Sequence, residues 1–300
     1  RALLAGLILY VAAHVPPERR NLAQVRDLLN SSPDDWKGLL LHMSKSDNRL
    51  VAAAGNRALQ KVDKEAAGIL SSAQSHTHFL DSEAMRRIVS GNSFDMAKLK
   101  TGDKPISLYL VLPAEELRTH GRWLRVMISM ILTALSREPK KPEHDVLFLL
   151  DEFAALGHMP IVETAMGLMR GYGIKLWPIL QDLPQLKHTY QKWESFVANA
   201  GCIQFFGVND KETAEYASKL LGQETVSTRS SGVNHGDHSS SSSLTHSFTG
   251  RALRMPDEVM RLPDWQMLIT LRAKPPVLCV RPVYHENPLF APLAAKNPWV

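Results

Sequence analysis

The chain has 300 residues, of which 44% are hydrophobic and 22% are charged, and its formal net charge is +5. These proportions are those of a folded globular protein, and the length suffices for one large domain or two modest ones. The small excess of positive charge is compatible with a polyanionic partner, but many proteins without such a partner share it. Composition therefore excludes a disordered chain and leaves the function open.

Residues 1 to about 80 show only helical patterns. Apolar residues recur at three- and four-residue spacing over Leu3–Val11 and again over Leu22–Leu29, which places each set on one face of a helix. A capping serine and a proline at the first helical position predict a third helix over about Pro33–Met43. The alanine- and lysine-rich stretch Asp47–Leu70 predicts a longer fourth helix. We therefore predict an all-α domain over residues 1–80.

From about residue 105 onward, short apolar runs alternate with helical patterns. The runs are typical of strands and lie at Ile106–Leu112, Val146–Leu150, Ile174–Leu180 and Cys202–Phe206. Strands that alternate with helices predict an α/β fold with a mostly parallel central sheet. Because these runs lack polar alternation, we expect the sheet to be covered on both faces. We predict that residues 81–300 form this α/β domain.

The segment Ser227–Ser247 contains nine of the 24 serines of the chain, including an unbroken run from Ser239 to Ser243. It has too few apolar residues to order itself by burial, so we predict a mobile loop, which is either functional or an inert surface excursion. After it, Trp265–Leu271 and Val277–Val280 are predicted to form a closing pair of strands.

The strongest chemical signal is the end of the run Val146–Leu150, where Asp151 and Glu152 follow directly. Ligands of α/β sheets bind at the carboxyl ends of the strands. A carboxylate at that place can hold the water shell of Mg²⁺, and its neighbour can polarise an attacking water. This order assigns the metal to Asp151 and the water to Glu152. The alternative is that the two acids only interact with a helix dipole.

Two further polar residues lie beside the next strand. Gln181 follows the run Ile174–Leu180, which places it where it could sense a γ-phosphate, although a glutamine there can also simply begin a helix. Arg170 precedes the same strand, so we expect it at the opposite end of the sheet. It could reach the site of a neighbouring subunit as an arginine finger, or it could interact only with a helix dipole.

The ordered segments LFLLDEFAALGHMP, MRGYGIKLWPILQDLPQLKHTY and FVANAGCIQFFGVNDKETAEYASKLLGQETV resemble the coupling-protein ATPases of conjugation and type IV secretion, the TraG-like family. The resemblance covers most of residues 80–290, and the closing segments RALRMPDEVMRLPD and KPPVLCVRPVYH agree with it. Residues 1–80 resemble, by position and character, the all-α domain that this family inserts into its nucleotide-binding domain.

The resemblance implies a RecA-like P-loop NTPase core, ATP and Mg²⁺ as cofactors, and a hexameric ring at the cytoplasmic face of the bacterial inner membrane. It also implies that the ring passes single-stranded DNA with its relaxase, or secreted proteins, to a type IV secretion channel. The Walker B acid pair of the family falls on Asp151 and Glu152, its strand-tip glutamine on Gln181, and its trans-acting arginine on Arg170. Asp151, Glu152 and Gln181 would thus contact nucleotide and metal, whereas Glu152, Gln181 and Arg170 would take part in catalysis.

The chain departs from the family pattern in one respect, since it contains no Gly-Lys dipeptide and therefore no phosphate-binding loop of the form GxxxxGK[ST]. The family places this Walker A loop and a membrane segment before the all-α insertion. We therefore expect these 300 residues to be a carboxy-terminal fragment that does not hydrolyse ATP alone.

Two other functions remain open from the sequence. The fold could belong to a non-catalytic adaptor that recruits substrates, or to a DNA translocase or helicase outside secretion. A Ser-His-Asp hydrolase is disfavoured, because no GxSxG elbow follows any predicted strand.

Overall fold

The computed structural model describes residues 1–91, 94–236 and 239–295. The chain divides into two compact units, residues 1–140 and 141–300. Residues 81–140 belong to the first unit, while the functional domain limits predicted from the sequence, 1–80 and 81–300, remain a prediction. Within the described ranges, no helix has both the length and the apolar character that a bilayer-spanning segment requires.

The first unit is helical. Its α-helices, in chain order and among the described residues, are α1 (Ala2–His14), α2 (Leu22–Leu29), α3 (Pro33–Ser44), α4 (Arg49–Leu59), α5 (Asp63–Thr77), α6 (Glu83–Ser90), α7 (Lys98–Thr101) and α8 (Leu117–Arg137). Residues 1–80 contain no strand, as their apolar spacing predicts. The Ser32 hydroxyl accepts a hydrogen bond from the Asp35 amide at 3.2 Å, so the predicted cap of α3 is confirmed.

The prediction of a single helix from Asp47 to Leu70 is wrong. The stretch forms α4 and α5, which are separated at residues 60–62. The separation follows from packing, because α4 contacts α1 and α3 whereas α5 contacts α2. The contact of α4 with α3 is close: a Cβ at Gly55 would lie 2.6 Å from the backbone nitrogen of Ser44, so only glycine fits there.

The predicted strand Ile106–Leu112 is also wrong, since these residues form no ladder with any described residue. Leu110 and Leu112 pack instead against a cluster of helical side chains, namely Phe79, Leu80, Met85 and Trp123. Tyr109 and Val111 are 82% and 76% exposed. A strand requires a hydrogen-bonding neighbour, which an apolar run in the sequence does not reveal.

The second unit contains all the strands that the structure describes. Its elements are β1 (Val146–Leu150), α9 (Pro160–Leu168), β2 (Ile174–Pro178), α10 (Leu183–Thr189), α11 (Trp193–Asn199), β3 (Cys202–Phe205), α12 (Lys211–Leu221), β4 (Gln223–Gly236), β5 (Ser239–Ala252), α13 (Pro256–Met260), β6 (Gln266–Leu271) and β7 (Val277–Val280).

Strands β1 and β2 form a parallel pair in which Val146 lies opposite Ile174 and Leu150 opposite Pro178. On β1, Phe148 and Leu150 are buried, but Leu147 and Leu149 are 54% and 58% exposed. The expectation that both faces are covered is therefore not met in the described part. An apolar run shows that a strand suits burial, whereas its cover depends on residues distant in sequence.

A second sheet has the order β3-β6-β7 and is antiparallel throughout. The predicted closing pair is confirmed, because β6 and β7 lie side by side. The run at Cys202–Phe205 is a strand as predicted, but it pairs antiparallel with β6 and not with the parallel pair. Leu268 of β6 and Phe205 of β3 pack with Ala214, Ala217 and Leu221 of α12 in one core cluster.

The serine-rich segment predicted as a loop is instead most of a β-hairpin, in which β4 and β5 pair antiparallel from Gln223 opposite Ala252 to Gly236 opposite Ser239. Main-chain hydrogen bonds between two adjacent strands need no apolar side chains, which is why composition gave no sign of them. Mobility of this segment remains a prediction.

Candidate functional site

The backbone that follows β1 is anchored to the backbone that follows β2. The Ile179 amide donates to the Leu150 carbonyl at 3.0 Å, and the Phe153 amide donates to the Ile179 carbonyl at 3.0 Å. These bonds continue the parallel pairing beyond the two strands. As a result, Asp151 and Glu152 leave one strand tip where Gln181 leaves its neighbour, which is the arrangement that the sequence predicts.

Glu152 has a backbone conformation that is unusual for its residue type. Its φ of 47° and ψ of 43° are left-handed, which costs a residue with a Cβ about 1–2 kcal/mol. The Glu152 amide donates to the Asp151 carboxylate at 3.1 Å, and the following side chain, Phe153, is fully buried and stacks on Tyr190 with ring centroids 5.6 Å apart. The Phe153 anchor and the strand-end hydrogen bonds hold the acid pair in this turn, and both acids remain exposed to solvent.

Gln181 is in contact with the carboxylate of Glu152. Its Nε2 lies 3.3 Å from Oε2 and 3.5 Å from Oε1 of that carboxylate. The amide therefore donates toward the group that would polarise water, in addition to occupying a position from which it could meet a phosphate. The structure thus brings Asp151, Glu152 and Gln181 together at one edge of the parallel pair.

Gln185 is a site residue that the sequence reasoning missed. Its Nε2 donates to the side-chain Oε1 of Gln181 at 3.2 Å, and its Oε1 accepts from the backbone amide of Gln181 at 3.3 Å. Its own amide donates to the carboxylate of Asp182, the N-cap of α10, at 2.8 Å. The sequence contained a signal for this contact. Gln185 follows the capping Asp182 by three residues and Gln181 by four, a spacing of one helical turn that brings the two glutamines together.

Arg170 lies elsewhere, in the 3₁₀ turn Met169–Tyr172 before β2, and it is exposed. The five residues of β1 span about 16 Å at 3.3 Å per residue, so Arg170 and Glu152 are separated by the length of the sheet. At the end near Arg170, the Lys175 ammonium lies 2.9 Å from the Asp145 carboxylate. This hydrogen bond lowers the pKa of Asp145, and the positive charges of Lys141 and Arg170 add to the effect.

The site offers oxygen ligands and one carboxylate that is held in place. No cluster of three or more potential metal ligands occurs in the described ranges. Mg²⁺ does not need one, because it commonly binds through one or two carboxylates together with substrate phosphates and water. Asp151 suits that role, and Glu152, oriented by Gln181, can accept a proton from a water molecule.

Comparison with known proteins identifies the family to which the chain belongs. A family model described as type IV secretory system, conjugative DNA transfer, matches residues 1–298. The conjugal transfer protein TraG of Rhizobium radiobacter is 30% identical over 293 residues, which cover 95% of this chain and 45% of that protein. The protein VirD4 of the same organism is 30% identical over 201 residues, or 65% of this chain and 28% of its own.

Solved structures confirm the predicted fold class. The plasmid coupling protein TrwB in complex with ADP and Mg²⁺ matches with a TM-score of 0.67 at 18% identity, over 96% of this chain and 64% of that one. Its complex with the non-hydrolysable ATP analogue ADPNP matches equally well. At this identity the likeness establishes the fold alone, which is the predicted α/β, RecA-like one.

The chain spans about half the length of the TraG relatives that it matches. The family model nevertheless covers nearly all of this chain, and the alignment with the TraG relative covers 95% of it. This chain therefore belongs to the family of type IV secretion coupling proteins for conjugative DNA transfer, which includes TraG and VirD4.

Proposed function

We propose that this chain is part of an ATP-driven motor that delivers single-stranded DNA with its relaxase, or secreted proteins, to a type IV secretion channel at the bacterial inner membrane. The observation that carries the proposal is the contact of Gln181 with the Glu152 carboxylate, beside Asp151, at the carboxyl ends of two parallel strands. That edge is where nucleotides bind in open α/β sheets. The Mg²⁺ and nucleotides bound to TrwB support the choice of ligand.

Each residue of the site has a distinct role in the proposal. Asp151 would hold Mg²⁺ through its water shell, and the bound ion would neutralise charge on the phosphates. Glu152 orients the attacking water and accepts its proton. Gln181 holds the Glu152 carboxylate through its side-chain amide and senses whether a γ-phosphate is present. The left-handed turn at Glu152 ends the strand alternation in which Phe148 and Leu150 are buried, and the Glu152 side chain is exposed.

The proposal also requires subunits in a ring. Arg170 lies a strand length from Glu152, so it is suited to the site of a neighbour and not to its own. A hexameric ring provides such a neighbour to every subunit. Because the chain contains no Gly-Lys dipeptide, the loop that cradles the phosphates is proposed to come from other residues of the full-length protein, and these 300 residues alone should not turn over ATP.

The test is Glu152→Gln in the full-length protein, assayed for ATP turnover and for nucleotide affinity. We expect turnover to fall by roughly 10²–10⁴, the usual contribution of a general base, while affinity changes little. Glu143→Gln is the matched control, because Glu143 is also exposed but lies at the amino end of β1. Near-normal hydrolysis by Glu152→Gln would exclude the role, and a wild-type protein that binds substrates without any turnover would favour an adaptor.

A further inference from the structure

The hairpin of β4 and β5 is exposed over residues 227–230 and 245–250. The side chains of residues 227–230 on one strand and 245–250 on the other are all open to solvent. The base is fixed to the unit through the Leu253 amide, which donates to the Gly222 carbonyl at 3.0 Å, and through the Arg251–Glu258 ion pair at 2.6 Å. Side chains farther along the arms therefore contribute little to the stability of the fold, and their exposure calls for another role.

The register of the hairpin brings three particular side chains onto one face. Arg229 lies directly opposite His246, and Phe248 is two residues farther along the same strand as His246. Residues two apart in a strand point to the same side, so the guanidinium, the imidazole and the phenyl ring share a face. Phe248 is 75% exposed, and Ser227 lies opposite it. The other face at this level carries Thr228 and Ser247.

The hairpin sequence has more basic side chains than acidic ones. In the sequence from residue 225 to 250, the only carboxylate is Asp237, whereas the same stretch holds Arg229 and three histidines. At the base of the hairpin, Glu224 and Glu258 both interact with Arg251. Residues 227–230 and 245–250 therefore carry positive charge and hydroxyl groups and contain no carboxylate, a combination that favours a phosphodiester backbone.

The exposed ring decides what kind of polyanion fits. An aromatic side chain stacks on the π-face of a base, and in a duplex these faces are covered by neighbouring bases. A phenyl ring next to a guanidinium thus suits a single strand, whose bases are accessible. Among residues 227–230 and 245–250, a protein partner would find one apolar side chain, Phe248, beside hydroxyl groups, which is not the packed aromatic cluster that dominates protein interfaces.

We propose that the face formed by Arg229, His246 and Phe248 is a contact site for single-stranded DNA. The guanidinium and the imidazole meet phosphates, and the ring of Phe248 stacks on a base without sequence preference. The inference rests on the proposed function, in which the motor passes a DNA strand, and it names a residue set that takes part in holding that strand.

The experiment measures the affinity of the full-length protein for a fluorescent oligothymidylate of about 40 nucleotides, several site sizes long. Phe248→Ser should weaken binding roughly 5- to 150-fold, the range expected from losing one base–aromatic stack. Arg229→Gln should weaken it as well and should reduce the slope of log affinity against log salt by about 0.7, the value for one phosphate contact of a single strand. Basal ATP turnover should be unchanged in both variants.

A transposed variant tests the face itself. The double substitution Thr228→Arg with Arg229→Thr keeps the net charge and composition and moves the guanidinium to the other side of the hairpin. If the site is as proposed, this variant binds as weakly as Arg229→Gln. Wild-type affinity in the transposed variant would show that only net charge matters, and it would overturn the site.

The remaining outcomes separate this inference from the proposed function. A wild-type protein that hydrolyses ATP but binds no oligothymidylate would refute both the DNA cargo and this contact. Wild-type binding that neither variant weakens would refute the contact alone. Loss of ring assembly in Phe248→Ser, measured by native mass, would mean that the hairpin joins copies of the chain. Loss of secreted-protein binding with intact DNA binding would assign it to protein cargo, and either result would overturn the proposal.

Discussion

Charged side chains serve different ends in the helical unit and at the strand tips of the second unit. In the helical unit, Arg26 of α2 is buried, and its guanidinium donates to the Asp81 carboxylate, to the Gln74 carbonyl and to the Thr77 hydroxyl. At the end of β1, Asp151 and Glu152 are exposed, and Glu152 has a left-handed backbone.

The difference shows how to distinguish a structural charge from a functional one in this chain. Burying the charge of Arg26 lowers the stability of the fold unless each of its donors makes a hydrogen bond. No buried side-chain nitrogen or oxygen within the described ranges lacks a hydrogen-bond partner. Exposure makes the acid pair inexpensive to fold, and the strain at Glu152 indicates that its placement is maintained for another reason. Substitutions in the first region should therefore change stability, and those in the second should change turnover.

The largest effect is expected from Arg170→Ala in the full-length protein. An arginine finger contributes about 10³–10⁵ in turnover, or roughly 4–7 kcal/mol in the barrier. We expect turnover to fall by this amount with little change in ATP affinity or folding. Arg272→Ala, which removes another exposed arginine of the same unit, is the control. If Arg170 only interacts with a helix dipole, turnover stays normal and stability falls by about 0.3–1 kcal/mol.

Mixing experiments test the trans action of Arg170. Subunits carrying Arg170→Ala and subunits carrying Glu152→Gln, each inactive alone, should regain partial turnover when they assemble together. Some interfaces then pair an intact Glu152 with an intact arginine from the neighbour. Mixed rings confirmed by mass that stay inactive at every ratio would remove the trans role.

In the helical unit, Asp81→Asn should lower the free energy of unfolding by about 1.5–3 kcal/mol, because it weakens hydrogen bonds to the buried charge of Arg26. Turnover per folded molecule should not change. Urea unfolding measures the loss, and Asp47→Asn, at an exposed aspartate, is the control. A change in turnover without a change in stability would contradict a purely structural role for Asp81.

The pH dependence of this effect has a definite sign. The hydrogen bond from Arg26 lowers the pKa of Asp81 in the folded state. The contribution of Asp81 to stability is therefore present above the unfolded pKa of about 3.9 and is lost as pH falls through the lower folded pKa. The variant should show a weaker loss of stability over that acidic range than the wild type.

Gln185→Leu sharpens the comparison at the strand tips. Removing both hydrogen bonds to Gln181 should allow the Glu152 carboxylate to move, which we expect to lower kcat about tenfold to hundredfold without changing ATP affinity. Gln191→Leu removes an exposed glutamine just after α10 and is the control. An unchanged kcat would mean that Gln181 holds Glu152 without help.

The smallest effect is expected from Lys175→Met, which removes the ion pair with Asp145 at the amino end of the sheet. Pairs this exposed contribute about 0.2–1 kcal/mol, and turnover should not change. Because Lys175 lowers the pKa of Asp145, the contribution is present above the unfolded pKa and is lost as pH falls through the folded pKa. Thermal unfolding at neutral and acidic pH should therefore show a difference between wild type and variant that shrinks in acid.

The sequence by itself determined which segments are strands or helices in much of the chain, and that three polar residues lie at the tips of two neighbouring strands. The run Val146–Leu150 is a strand with the predicted bounds, and Asp151, Glu152 and Gln181 meet at the predicted edge. Such features are local, because apolar runs, caps and the order of strands and helices can be counted along the chain.

Only the tertiary structure decided which elements pair and how the site is held. It left Ile106–Leu112 without a ladder among the described residues, joined Cys202–Phe205 to an antiparallel neighbour, and made a hairpin of the serine-rich segment. It also set the left-handed turn at Glu152 and its support by Gln185 through Gln181. These outcomes depend on hydrogen-bond partners and packing between residues far apart in sequence, which local patterns do not report.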